Sequence, residues 1–118
     1  MEAIQFDIPS TLYSGPNTTG VEGSIFAAPP RKSRFGIQIT LNAPPSGAFA
    51  VELQGSLDGV NFFVINGATD ADFGGDSTFI LNNEPLGAVT HIRFAIIDDG
   101  DTGATIVAII NFAKAAEI

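Results

Sequence analysis

The stretch Phe35-Gly36-Ile37-Gln38-Ile39-Thr40-Leu41, the turn Asn42-Ala43-Pro44-Pro45-Ser46-Gly47 and the run Phe49-Ala50-Val51-Glu52-Leu53-Gln54 together decide the fold. In the first run Phe35, Ile37, Ile39 and Leu41 alternate with Gly36, Gln38 and Thr40. Side chains on an extended chain point to opposite faces in turn, so this is a strand with one buried face. The second run repeats the pattern, with Phe49, Val51 and Leu53 inward, and a proline- and glycine-containing turn joins the two.

The same alternation extends in both directions. Residues 3–8 carry Ile4, Phe6 and Ile8 against Gln5 and Asp7 and predict a first strand, ended by Pro9. Residues 12–19 read as loop, and 21–27 as a second strand stopped at Pro29-Pro30. Beyond Gln54, strands are expected at 60–65, 77–81, 89–97 and 104–112. Between them lie an acidic glycine-rich loop at 67–76, a turn at Asn82-Asn83-Glu84-Pro85 and a hairpin turn over 98–103. The one helical turn expected is terminal, over residues 113–118. About eight short strands with no crossover helix predict an all-β fold, an antiparallel two-sheet β-sandwich or jelly roll, as one domain over residues 1–118. Phe35, Phe49, Phe62, Phe79 and Phe94 are expected inside, each contributing on the order of 1.5 to 3 kcal/mol when fully buried.

Composition narrows the function. Thirteen acidic and five basic residues give a net charge of −8, which opposes binding to nucleic acid or to an anionic membrane. Without cysteine there is no disulfide, thiolate nucleophile or zinc–thiolate site. The longest apolar run, 104–110, is too short for a bilayer, which needs about 20 residues. Residues 1–5 show neither the basic nor the apolar part of a secretory leader, so synthesis in a cytoplasm is expected and Asn17-Thr18-Thr19 reads as a polar turn, not a glycosylation site.

The most specific local motif is Ser56-Leu57-Asp58-Gly59-Val60-Asn61-Phe62. Gly accepts a positive φ, and Asp and Ser side chains bond to nearby backbone amides, so the residues spell a tight reversal between strands. This Ser-x-Asp-Gly-x-x-aromatic hairpin resembles one that recurs in β-sandwich proteins of tailed-bacteriophage virions and in discoidin-like and sialidase-type domains. Those last two usually place Trp at the aromatic position, where this chain has Phe62, and that departure weighs against sugar binding. Taken whole, the short, acidic, cysteine-free chain is similar to phage head decoration (cement) proteins. The resemblance implies a virion protein on the outer capsid surface. Its partners would be the major capsid protein and further copies of itself, as a trimer or dimer. The alternative is a carbohydrate- or receptor-binding module of a phage tail or fibre.

No enzyme, cofactor or metal site is expected. His91 stands alone on a strand, on the face shared with Arg93, without a nucleophile motif around it. Calcium is the one ion to weigh, through Asp70, Asp72 and Asp76 or through Asp98, Asp99 and Asp101, but neither set follows the EF-hand order and both read as solvated loops. Candidate protein contacts are the basic cluster Arg31, Lys32 and Arg34, the turn residue Asp58, and Val107 and Ile109. The last two lie on a strand apolar on both faces, which is either covered on both sides or meets another copy.

Overall fold

The computed structural model describes residues 9–29, 33–101 and 103–113. The chain is an eight-stranded antiparallel sandwich: β1 (Ser10–Pro16), β2 (Phe26–Ala27), β3 (Arg34–Leu41), β4 (Ala50–Ser56), β5 (Phe63–Thr69), β6 (Thr78–Pro85), β7 (His91–Asp98) and β8 (Thr105–Ala113), with a one-turn helix α1 (Asp70–Phe73) after β5. One sheet has the order β1-β8-β3-β6 and the other β2-β7-β4-β5. The pairs β1·β8, β2·β7, β3·β6 and β4·β5 are therefore all hydrogen-bonded. That is the pattern of one long hairpin, bent back at the β4–β5 turn and rolled into two layers, which makes the sandwich a jelly roll.

The alternation read from the sequence sets the layers. β3 turns Phe35, Ile37, Ile39 and Leu41 inward, β4 turns Val51 and Leu53 inward, and β7 contributes Ile92, Phe94 and Ile96. β8 lies between β1 and β3 and supplies Ile106, Ala108, Ile110 and Phe112. Of the five phenylalanines expected inside, Phe35, Phe49 and Phe94 are buried and Phe79 packs half-buried against the core. Phe62 does not join the core: its ring lies under the Arg93 guanidinium, 4.0 Å from centroid to Cζ.

Several boundaries differ from expectation, each for a local reason. Residues 12–16, within the stretch read as loop, join Ser10 and Thr11 in the edge strand β1. An edge strand tolerates proline, because only one side of its backbone must bond to a neighbour. The strand expected at 3–8 lies outside the described residues. The second strand shrinks to Phe26–Ala27, yet residues 20–28 follow β7 through Gly20 N–H to Ile96 O, Gly23 N–H to Phe94 O and Ala28 N–H to Thr90 O. A Cβ on Gly23 would stand 3.2 Å from Phe94 O, so the close approach there favours glycine. β5 starts at Phe63 instead of residue 60, because Val60 and Asn61 give their N–H groups to Asp58. It continues to Thr69, and α1 follows where a loop was expected, capped by Gly74 at φ 58°. Helix α1 buries Phe73 edge-on against Phe49, with centroids 5.5 Å apart. β6 runs through the expected turn at 82–85 by a register shift between Phe35 and Ile37 of its partner strand, with Asn83 left-handed at φ 57°.

The two ends of the sandwich differ in charge. The loop residues 42–49, 70–77, 99–101 and 103–104 lie at one end, which carries Asp70, Asp72, Asp76, Asp98, Asp99 and Asp101 and, among the described residues, no lysine or arginine. The β4–β5 turn and Arg34 lie at the other, since Ser56 pairs with His91, and Arg34 with Ala113 and Pro85.

Replacing Phe94, 1% exposed, by alanine is expected to cost about 3–5 kcal/mol in urea unfolding. Gly100 and Gly74 give a sharper contrast. Both have positive φ, but a Cβ on Gly100 would lie 2.2 Å from Ser46 O whereas Gly74 has open space. Gly74→Ala should therefore lose about 1–2 kcal/mol, and Gly100→Ala clearly more.

Candidate functional site

The β4–β5 reversal is the most heavily bonded loop among the described residues. The Ser56 side chain is fully buried at the end of β4. Its hydroxyl donates to Asp58 Oδ1 at 2.8 Å and accepts the N–H of Gly59 at 2.9 Å and of Asp58 at 3.2 Å. Asp58 Oδ1 also accepts the N–H groups of Val60 and Asn61, both at 2.8 Å, while Oδ2 takes the Asn61 side-chain amide. Gly59, at φ 77°, turns the chain so closely over the His91 ring that a Cβ would sit 3.2 Å from Nε2. Just before β7, Thr90 anchors the base of the turn by donating N–H and Oγ1–H to Ser56 O.

This network has an electrostatic consequence. The backbone N–H groups of Asn61 and Val60, then the Asn61 amide and the Ser56 hydroxyl, favour the ionised Asp58 carboxylate and hold its pKa far below the usual carboxylate range. Asp58, expected as a contact residue, thus has both oxygens engaged within its own turn. The side chains left pointing out are Leu57 and Val60, 66% and 77% exposed, the most exposed large apolar residues described. The sequence showed them as turn residues, and two apolar side chains beside Asp-Gly were the signal available for them.

Beside the turn, the outer face of the β2-β7-β4-β5 sheet carries a row of joined polar groups. Arg93 forms an ion pair with Glu22 and donates from Nε to Gln54 Oε1 at 2.7 Å, and Gln54 in turn donates to Glu52 at 2.9 Å. With Phe62 under the guanidinium, this arginine is held from three sides. His91 shares that face, as expected, and its Nδ1 lies 2.8 Å from Thr90 Oγ1.

The other candidates are placed as follows. Arg34 begins β3 and grips Asn83 of β6, donating from Nε to Oδ1 at 3.1 Å and from Nη2 to the backbone carbonyl. Arg31 and Lys32 lie outside the described residues. Val107 and Ile109 lie half-buried on the outer face of β8, which is an inner strand of its sheet. Ile109 and the exposed Ile80 flank Gln38 in register, and a shallow hollow of about 180 Å³ opens among Ile109, Ile80, Asn82 and Pro9. A second cavity, about 150 Å³, opens between the sheets where β2 is short, lined by Leu12, Phe26, Ile92, Ile110 and Phe112. Neither contains His91 or a carboxylate.

Three aspartates of the acidic end, Asp72, Asp98 and Asp99, accept backbone N–H groups of the loops. Asp98 Oδ1 accepts Gly100 N–H, Asp99 takes the N–H of Asp101 and of Thr19, and Asp72 takes that of Thr69. The Asp101 and Thr19 amides lower the pKa of Asp99. Among the described residues no three His, Asp or Glu side chains come together as a metal site would require. Asn17 is buried, and its amide donates to Asp99 O at 3.1 Å, tying the loop after β1 to the β7–β8 turn.

No family model matches the chain, and no curated protein does. Among solved structures, the SPBc2 prophage-derived protein YomS is similar over 97% of both chains, with a TM-score of 0.61 and 14% sequence identity. Two chains of that relatedness share a fold.

Two variants test the turn. Ser56→Ala strands the N–H of Gly59 and should lower stability by about 1–3 kcal/mol. For Asp58 the folded pKa is lowered, so its stabilising contribution is complete well above the unfolded value of about 4 and is lost as pH falls below it. Asp58→Asn should thus be less stable than the parent at neutral pH. The gap in urea midpoint should narrow as pH falls from about 5 to 2, and a constant gap would contradict the hydrogen-bond account.

Proposed function

We propose that this chain is a structural protein of a phage virion that binds the outer surface of the capsid and braces it through protein–protein contacts. The observation that carries the reading is the match of the whole chain, at 97% coverage both ways, to a jelly-roll-sized protein of prophage origin. The chemistry of the surface supports an adhesive role. The polar side chains of the Ser56–Asn61 turn are engaged internally, while Leu57, Val60, Phe63, Val64 and Ile80 are exposed. The net charge of −8 suits a basic protein surface. Self-association as a dimer or trimer belongs to the same reading, with Val107, Ile109 and Ile80 as its apolar outer patch.

Bracing follows from linkage. A protein that binds the assembled shell and not its separated subunits stabilises the shell by mass action. Contacts spanning neighbouring subunits bury further area that must be re-exposed before the shell opens. Glycan binding draws less support, because the face of the Phe62 ring is covered by Arg93.

Purified protein should co-sediment with undecorated capsids of the phage that encodes it, saturate at a fixed ratio to the capsid subunit, and raise the temperature at which shells open. Capsids that neither bind it nor gain heat resistance would remove this reading.

A further inference from the structure

We infer that the Ser56–Asn61 reversal is a preformed docking tip whose Leu57 and Val60 side chains enter an apolar cleft on a partner protein, with basic groups at the cleft rim facing the Asp58 carboxylate. The inference rests on the adhesive reading above and names the element that makes the contact.

Three observations carry it. The first is what the tip lacks. The four successive N–H groups from Asp58 to Asn61 are bonded inside the turn, as is the Asn61 amide, so it has few donors for sugar hydroxyls. What remains outward is two apolar side chains around a carboxylate that stays ionised. The second is rigidity. Ser56 is buried and tied to Thr90, and Gly59 rests on His91, so the tip is ordered before any partner arrives. Association then loses little conformational freedom, which is the usual advantage of a preorganised contact. The third is charge. A lipid surface with anionic headgroups repels a protein of net charge −8, whereas a cleft rimmed by lysine or arginine attracts both the whole molecule and the Asp58 carboxylate.

The test compares the parent, the double variant L57S/V60S and the control I97S, at an exposed apolar residue far from the tip, for binding to undecorated capsids and to zwitterionic and anionic vesicles. Leu57 and Val60 are too exposed to hold the fold, so thermal unfolding of the double variant should match the parent. Capsid affinity should drop about 100-fold in L57S/V60S and stay within about threefold in I97S, and parent affinity should weaken as salt is raised. Parent and double variant binding capsids equally would overturn the tip while leaving capsid binding in place. Failure of the parent to bind capsids would overturn both. Vesicle binding that depends on Leu57 and Val60 would replace the protein cleft with a lipid surface.

Discussion

The hydrogen bonds that Ser56 and Asp58 make within one turn set the point about which the chain doubles back. In a jelly roll every later pairing is counted from that reversal: β4 meets β5, then β3 meets β6, β2 meets β7 and β1 meets β8. A shift of one residue at the turn would move each inward row to the solvent side, because side chains alternate along a strand. Asp58 prevents this by taking the N–H groups of Val60 and Asn61, which removes those residues from the ladder and starts β5 at Phe63. The buried Ser56 hydroxyl secures the other side of the turn.

From this reversal the division of labour in the molecule follows. The inner faces are apolar, with Phe35, Phe49, Phe94 and Ile106 almost without solvent contact, so the interior provides stability. The outer faces and loops are left to meet other molecules. At one end, carboxylates fold back on backbone amides and stiffen their loops, as Asp99 does for residues 19 and 101. At the other end the same device, in Asp58, leaves apolar side chains outward. A carboxylate whose oxygens are engaged locally acts as a structural clasp while its charge stays exposed, and the apolar chemistry available to a partner is set by the residues beside it.

The face around Arg93 shows how little of this arrangement is specified by neighbours in sequence. Glu22, Gln54, Phe62 and Arg93 come from four separate segments and meet only because β4 and β7 pair in register and residues 20–28 run along β7. Phe62 illustrates the reason. Alternation alone would count it with the core phenylalanines, but the turn adds residues between the strands and rotates it to the face where a guanidinium awaits. Phe73 is the converse, a loop residue by composition that α1 turns into the core beside Phe49.

What the amino-acid order determined by itself was the class of fold, the inward rows of β3, β4 and β7, the reversal at Asp58-Gly59 and the absence of thiol chemistry. These are written in periodicity of two, in positive-φ glycine and in composition, all of which are local. Only the tertiary structure decided that residues 10–16 are an edge strand, that β6 runs through Asn83, that Val107 and Ile109 lie on an inner strand, and that Leu57 and Val60 stand clear of solvent-covered neighbours. Those outcomes depend on which strand lies beside which, and pairing between segments far apart in sequence is set by how the two layers pack, not by any short run of residues.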